Sequence, residues 1–146
     1  MTMFVGQYPY KVDEKGRIPI PPSFRSDLTG GGFLSPGAGG CIAVYTRAKF
    51  EEISLSMQTP GVSKENFRTF ARTFFSSAAE IKLDAQGRVM LTPELRKYAG
   101  ITDSAIVVGV NASAEIWSPE GWKAQQNADQ AWQVLETLEI QKDRPG

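Results

Sequence analysis

The sequence predicts a mixed α+β fold built from one unit of short strands and helices that occurs twice. Residues 12–25, VDEKGRIPIPPSFR, align without a gap on residues 83–96, LDAQGRVMLTPELR. Both copies carry strand-like alternation followed by a proline at the start of a short helix. Apolar residues make up 41% of the 146 and charged residues 22%, enough to bury a core without disulfides or metals. That length suits one domain, or two very small ones sharing a core.

Identities at Asp13/Asp84, Gly16/Gly87, Arg17/Arg88, Pro22/Pro93 and Arg25/Arg96 carry the repeat. Val12/Leu83, Ile18/Val89, Ile20/Leu91 and Phe24/Leu95 keep apolar character. Further on, Val44-Tyr45-Thr46 matches Ile116-Trp117-Ser118 and Phe50 matches Trp122, one residue out of the first register. Each unit is therefore expected to hold two short strands around a turn, a short helix, a further strand and a second helix.

The elements follow in order. Gly16 supplies a turn that tolerates positive φ, and Arg17-Ile18-Pro19-Ile20 reads as a strand with one buried face, which Pro19 marks as an edge or first position. Gly30 to Gly40 is glycine-rich and reads as a flexible surface hairpin, because no Gly-Lys-Ser/Thr follows to make a nucleotide cradle. Ser63 caps a helical pattern with Phe67, Phe70, Ala71, Phe74 and Phe75 on one face and Lys64, Arg68 and Arg72 on another, the latter read as a solvent face. These aromatics, with Tyr45, Trp117 and Trp122, fit a core or a subunit interface better than base-stacking platforms. Thr92-Pro93-Glu94 opens a helix over residues 93–99 that Gly100 stops. Ser118-Pro119-Glu120 opens a longer helix bearing Trp122, Trp132, Leu135 and Leu138, with residues 141–146 frayed.

Composition narrows the chemistry. Sixteen basic residues balance sixteen acidic ones, so any polyanion site has to be made locally. Residues 1–75 hold nine basic and six acidic residues against seven and ten in residues 76–146, which favours the amino-terminal unit for an anion. The chain has no histidine, which removes histidine-dependent triads and zinc sites. The single cysteine, Cys41, sits in an apolar run and reads as a small core residue in a reducing cytosol. With no signal-like opening and no apolar stretch of about 20 residues, a soluble protein not exported by the general route is expected.

The candidate binding residues lie at the repeated turn. Arg17 and Arg88 carry guanidinium forks suited to phosphate or to the two acceptors of a guanine edge. Equally, each could bond the aspartate four positions back, Asp13 or Asp84, and fix the turn; both hold if the aspartate orients an arginine that still faces outward. Lys15 adds a mobile charge suited to phosphate, with Lys11 and Arg25 weaker candidates. Asp13 with Asp84 makes a poor acid pair, since carboxylates flanked by arginines stay ionised. No enzyme activity, cofactor, metal or small-molecule substrate is expected.

In the pattern Asp-x-x-Gly-Arg, at Asp13-Glu14-Lys15-Gly16-Arg17 and Asp84-Ala85-Gln86-Gly87-Arg88, the chain resembles the MraZ family of bacterial transcriptional regulators. The double occurrence, the aromatic after each third strand, the start Met3-Phe4-Val5-Gly6 and the total length strengthen the resemblance, which covers nearly the whole chain. It implies a duplicated swapped-hairpin, AbrB-like β-barrel core with peripheral helices: a first unit over 7–52, a connecting helical segment over 53–77, a second unit over 78–124, and a carboxy-terminal helix and tail over 125–146. It also implies ring-shaped homo-oligomers in the cytoplasm and nucleoid that bind double-stranded DNA through direct repeats, regulating the family's own operon in the division and cell-wall gene cluster. On this reading Lys15, Arg17 and Arg88 contact DNA, while Asp13, Gly16, Asp84 and Gly87 orient the motif. Gln86 stands where the first unit has Lys15, so equal DNA contacts by the two units are not expected. The rival expectation is an antitoxin-like protein-interaction module whose acidic helix, within residues 118–140, binds a partner protein.

Overall fold

A computed structural model describes residues 3–58 and 60–142. The first unit runs β1 (Gln7–Lys11), β2 (Arg17–Pro19), α1 (Pro22–Leu28), β3 (Gly32–Gly37), β4 (Cys41–Thr46) and α2 (Arg47–Ser56). After α3 (Lys64–Phe74), the second repeats that order as β5 (Ala79–Glu80), β6 (Arg88–Met90), α4 (Pro93–Ala99), β7 (Ser104–Gly109), β8 (Ala114–Trp117) and α5 (Pro119–Gln125), followed by α6 (Ala128–Lys142). The fold is α+β with antiparallel pairing throughout its described strands.

Each unit places its strands on the other. The large sheet has the order β1-β7-β8-β4-β3-β5, so the first unit's β1 lies on the second unit's β7, and the second unit's β5 on the first unit's β3. The central β4–β8 pair joins the halves, and the order is unchanged when the two units are exchanged. β2 and β6 pair with each other, Ile18 opposite Val89. The chain therefore turns sharply after β1 and after β5 but does not fold back on itself as a simple hairpin.

The six-stranded sheet stays open, with β1 and β5 each paired on one side, where the family resemblance implies a barrel. The physical reason is the departure of β2 and β6 into a separate ribbon, which leaves the large sheet nothing to close with. The core lies between that ribbon, the large sheet and α1 and α4. Its centre is made of the apolar pairs the repeat aligns: Ile18 with Val89, Ile20 with Leu91, and Phe24 with Leu95, all buried. Removing these side chains from water is the main stabilising term.

Local capping follows the sequence closely. Thr92 Oγ1 accepts from Leu95 N and Gly100 ends α4 in the left-handed region at φ 64°. Ser63 Oγ accepts from Asn66 N to open α3, and Thr46 and Ser118 cap α2 and α5 in matching positions. Cys41 is fully buried; burial foremost, with the Glu115 carboxylate beside it, pushes its thiol up to about 12.

Three expectations need correction. The "further strand" of each unit is a two-stranded hairpin, β3–β4 and β7–β8. The glycine-rich segment does enter a hairpin but not a surface one, because Gly32 to Gly37 form β3 in the sheet interior with Leu34 and Ser35 buried, leaving residues 38–40 as the tip. The long carboxy-terminal helix is two helices, since Gln126 is extended and Asn127 Oδ1 accepts from Gln130 N, recapping the chain for α6. The expected fraying at 141–146 lies outside the described residues from 143 onward; residues 141 and 142 belong to α6.

Candidate nucleic-acid interface

The two Asp-x-x-Gly-Arg segments fold into the same turn. In the first, Gly16 N donates to the Asp13 carbonyl and Asp13 N to the Arg17 carbonyl, both at 3.0 Å. In the second, Gly87 N donates to Asp84 at 2.9 Å and Asp84 N to Arg88 at 3.0 Å. Gly16 and Gly87 have φ of +80° and +75°, a region that costs any residue with a Cβ, which is why glycine stands at both.

The aspartates organise the turns from within. Asp13 Oδ1 accepts from Lys15 N and Arg17 N, each at 2.9 Å, and Oδ2 accepts from Arg17 Nε at 2.7 Å. Asp84 Oδ1 accepts from Gln86 N and Arg88 N, and Oδ2 from Arg88 Nε, all at 2.9 Å. The Arg17 backbone N–H foremost, helped by the Arg17 side chain and the Lys15 N–H, holds the Asp13 carboxyl below its ordinary 3.8 against the opposing effect of partial burial. Asp84 is lowered likewise, first by the Arg88 N–H and then by Gln86 N–H and the Arg88 side chain.

The turns meet. Arg88 Nη1 reaches Asp13 Oδ2 at 3.4 Å, bridging 75 residues of sequence, whereas Arg17 makes no matching bond to Asp84 among the described contacts. Arg17 engages Asp13 through Nε and leaves its Nη groups outside these bonds. Arg17 and Arg88 keep 29% and 27% of their side chains exposed, so holding an aspartate leaves each only partly buried. Lys15 and Gln86 stand at the exposed tips. Thus Asp13, Lys15, Gly16, Arg17, Asp84, Gly87 and Arg88 all lie in one cluster, and Lys11 ends β1 outside it.

Two further arginines belong to the cluster, Arg25, a weaker candidate by sequence, and Arg96, which the sequence marks only as its repeat partner. Ile20 N donates to the Gly87 carbonyl at 2.9 Å and Leu91 N to the Gly16 carbonyl at 2.8 Å, so each turn is stitched to the other unit's strand end. Arg25 Nε donates to the Ile20 carbonyl and its guanidinium lies over Gly87; Arg96 Nε donates to the Leu91 carbonyl and its guanidinium lies over Gly16. A Cβ built on Gly16 would sit 2.9 Å from the Arg96 guanidinium carbon, and one on Gly87 would overlap Arg25. The signal was available: Arg25 and Arg96 are the last identical pair of the repeat.

Five cations, Lys15, Arg17, Arg25, Arg88 and Arg96, thus stand in or beside the paired turns with four carboxylates, Asp13, Glu14, Asp84 and Asp103, in a chain with no net charge. A shallow groove beside the first turn, lined by Asp13, Glu14, Arg96 and Asp103 among others, carries three of these acids and one of the cations.

A duplicated α+β chain with exchanged strands defines a class of protein that presents two matched arginine-bearing turns from a single polypeptide. The family model described as "MraZ protein, putative antitoxin-like" matches residues 3–73 and again residues 74–143. The protein called transcriptional regulator MraZ from Dehalococcoides mccartyi (strain ATCC BAA-2266 / KCTC 15142 / 195) is 42% identical over 140 residues, covering 94% of this chain and 99% of the relative. Proteins of the same name from Thermomicrobium roseum and Frankia alni are 41% identical over 123 residues and 40% over 122; each alignment covers 84% of this chain, and 87% and 85% of the respective relatives. The chain belongs to the MraZ family.

Proposed function

We propose that this chain is a transcriptional regulator that binds double-stranded DNA in a sequence-specific way through its paired turns. In this reading Arg17 and Arg88 direct their forks to base edges in the major groove, and Lys15 meets the phosphate backbone. Asp13, Gly16, Asp84 and Gly87 orient the arginines, and Arg25 and Arg96 brace the turns from behind. The observation that carries the reading is the pair of matched turns, in which each arginine is held by its own aspartate through Nε, the two are joined by Arg88 and Asp13, and each is backed by an arginine of the other unit. Rigid presentation lowers the ordering cost of binding.

We read residues 7–52 and 78–124 as the two units of an AbrB-like swapped-hairpin core, and the chain as acting in a ring-shaped homo-oligomer at the nucleoid. Because one copy offers few cations, several copies engaging direct repeats upstream of its own operon, in the division and cell-wall cluster, would supply affinity through effective concentration.

The test is fluorescence anisotropy of a labelled duplex from upstream of the chain's own gene against a scrambled duplex, across a salt series, with wild type and Arg17→Ala. The expected outcome is tight binding to the first duplex, lost in Arg17→Ala, with a salt slope of several phosphate contacts. Equal weak binding to both duplexes, unmoved by Arg17→Ala, would contradict the proposal.

A further inference from the structure

The β2–β6 ribbon has an inner and an outer face. Ile18 and Val89, opposite each other across the two strands, are both buried in the core. Side chains alternate in direction along a strand, so residues 17, 19, 88 and 90 share the other face, which points away from that core. The register sets Arg17 beside Met90 and Pro19 beside Arg88, leaving the two arginines diagonal to one another. Both guanidinium groups accordingly reach the Asp13 carboxylate. Backbone bonds fix the ends of the ribbon, Leu91 N donating to the Gly16 carbonyl and Ile20 N to the Gly87 carbonyl.

Met90 is the odd member of the outer face, an apolar side chain that is 53% exposed. A lone exposed apolar residue is ordinary on a protein surface. This one, however, stands directly opposite Arg17, where cross-strand Cβ atoms are about 4.5–5.5 Å apart. The repeat puts Pro19 at the corresponding position of the first unit. Arg88 therefore has a short, rigid ring beside it, whereas Arg17 has a long, flexible and polarisable thioether.

The major groove of B-form DNA admits a two-stranded ribbon, and of the four bases only thymine presents a methyl group there. A guanidinium fork takes the two acceptors of a guanine edge, and an apolar side chain takes the thymine methyl. A neighbour about 5 Å away on the ribbon lies little more than one base step of about 3.4 Å along the groove. We propose that the outer face of the β2–β6 ribbon enters the major groove and that Met90 is a specificity-determining residue, packing on the C5-methyl of a thymine next to the base that Arg17 reads. This rests on the DNA recognition in the proposed function and adds to it a contact that involves no charge.

The experiment is fluorescence anisotropy of the full chain with the labelled duplex from upstream of its own gene, its thymines replaced by deoxyuridine one at a time. Deoxyuridine keeps the base pairing and removes only the methyl group. Wild type, Met90→Ala and Met90→Leu are compared. Wild type is expected to bind about fourfold more weakly when a thymine next to a guanine loses its methyl, the worth of one buried methyl group. Met90→Ala is expected to bind the thymine and deoxyuridine duplexes alike, and Met90→Leu to keep the preference. The salt slope should be the same in all three, since no phosphate contact is lost, which a general loss of the binding surface would not leave unchanged. The deoxyuridine series on wild type is decisive whatever the stability of the variants. A wild type that prefers the upstream duplex over a scrambled one but ignores every deoxyuridine replacement overturns the role of Met90, as does a thymine preference that survives Met90→Ala. Equal binding of wild type to the upstream and scrambled duplexes overturns the DNA reading itself, and this contact with it.

Discussion

At the first turn one carboxylate, Asp13, serves two units: it holds the Lys15 and Arg17 N–H groups, the Arg17 guanidinium and, from across the interface, Arg88. At the second turn, Asp84 makes the same bonds to its own segment and, among the described residues, none across. The tips differ as well, Glu14-Lys15 against Ala85-Gln86. The main-chain bonds of the turn, its left-handed glycine and the arginine brace over it are alike in both units, while the side chains facing outward diverge. Duplication within one chain permits this, because a homodimer would be bound to two identical turns.

The largest effect that would separate the turns is on folding. Gly87→Ala and Gly16→Ala each force a Cβ into a positive-φ position, costing about 1–3 kcal/mol. Gly87→Ala is expected to cost more, since its Cβ would overlap Arg25, whereas Gly16→Ala meets Arg96 at 2.9 Å. Urea unfolding measures both, and Arg25→Ala should relieve part of the Gly87→Ala loss and none of the Gly16→Ala loss. Equal losses would remove the distinction.

Next come the arginines. Arg17→Ala is expected to weaken specific DNA binding by about 1–3 kcal/mol, the range for a bidentate base contact. Arg88→Ala should weaken it less and lower thermal stability more than Arg17→Ala, because Arg88 also ties the units together at Asp13. Anisotropy and thermal melts of the same two proteins check this.

The effect of pH follows from the lowered carboxyl groups. Both aspartates have folded-state values below the ordinary 3.8, so their stabilisation is full above that value and is lost as pH falls through the folded value. Melting temperature should therefore drop below about pH 4, and Asp13→Asn should flatten that drop more than Asp84→Asn. The smallest effect is at the tips: Lys15→Gln makes the first tip resemble the second and should reduce the magnitude of the salt slope of DNA binding by about 1, with Gln86→Lys raising it by as much.

Much of this was readable from residue identity, and the pattern of what was not has a physical origin. The aligned apolar pairs are core, and the caps at Thr92, Ser63 and Ser118 start helices where expected, because these depend on local chemistry. The Asp13–Arg17 and Asp84–Arg88 bonds follow from four-residue spacing around a glycine turn. Strand partners did not follow, since pairing β1 with β7 and β5 with β3 is a long-range choice that alternation within a strand leaves open. The brace by Arg25 and Arg96 was missed for the same reason: its target lies in the other unit. The break at Gln126 was hidden because Asn127 opens a new helix with no proline or glycine to mark it.

The central claim is that the two turns act as one recognition surface coupled through Asp13. A double-mutant cycle tests it most directly: anisotropy of the upstream duplex with wild type, Arg17→Ala, Arg88→Ala and the double variant, at one fixed salt concentration. The account predicts non-additive losses, with a coupling of about 0.5–3 kcal/mol as for residues sharing one network. Losses that add to within about 0.5 kcal/mol would show two independent contacts and contradict it.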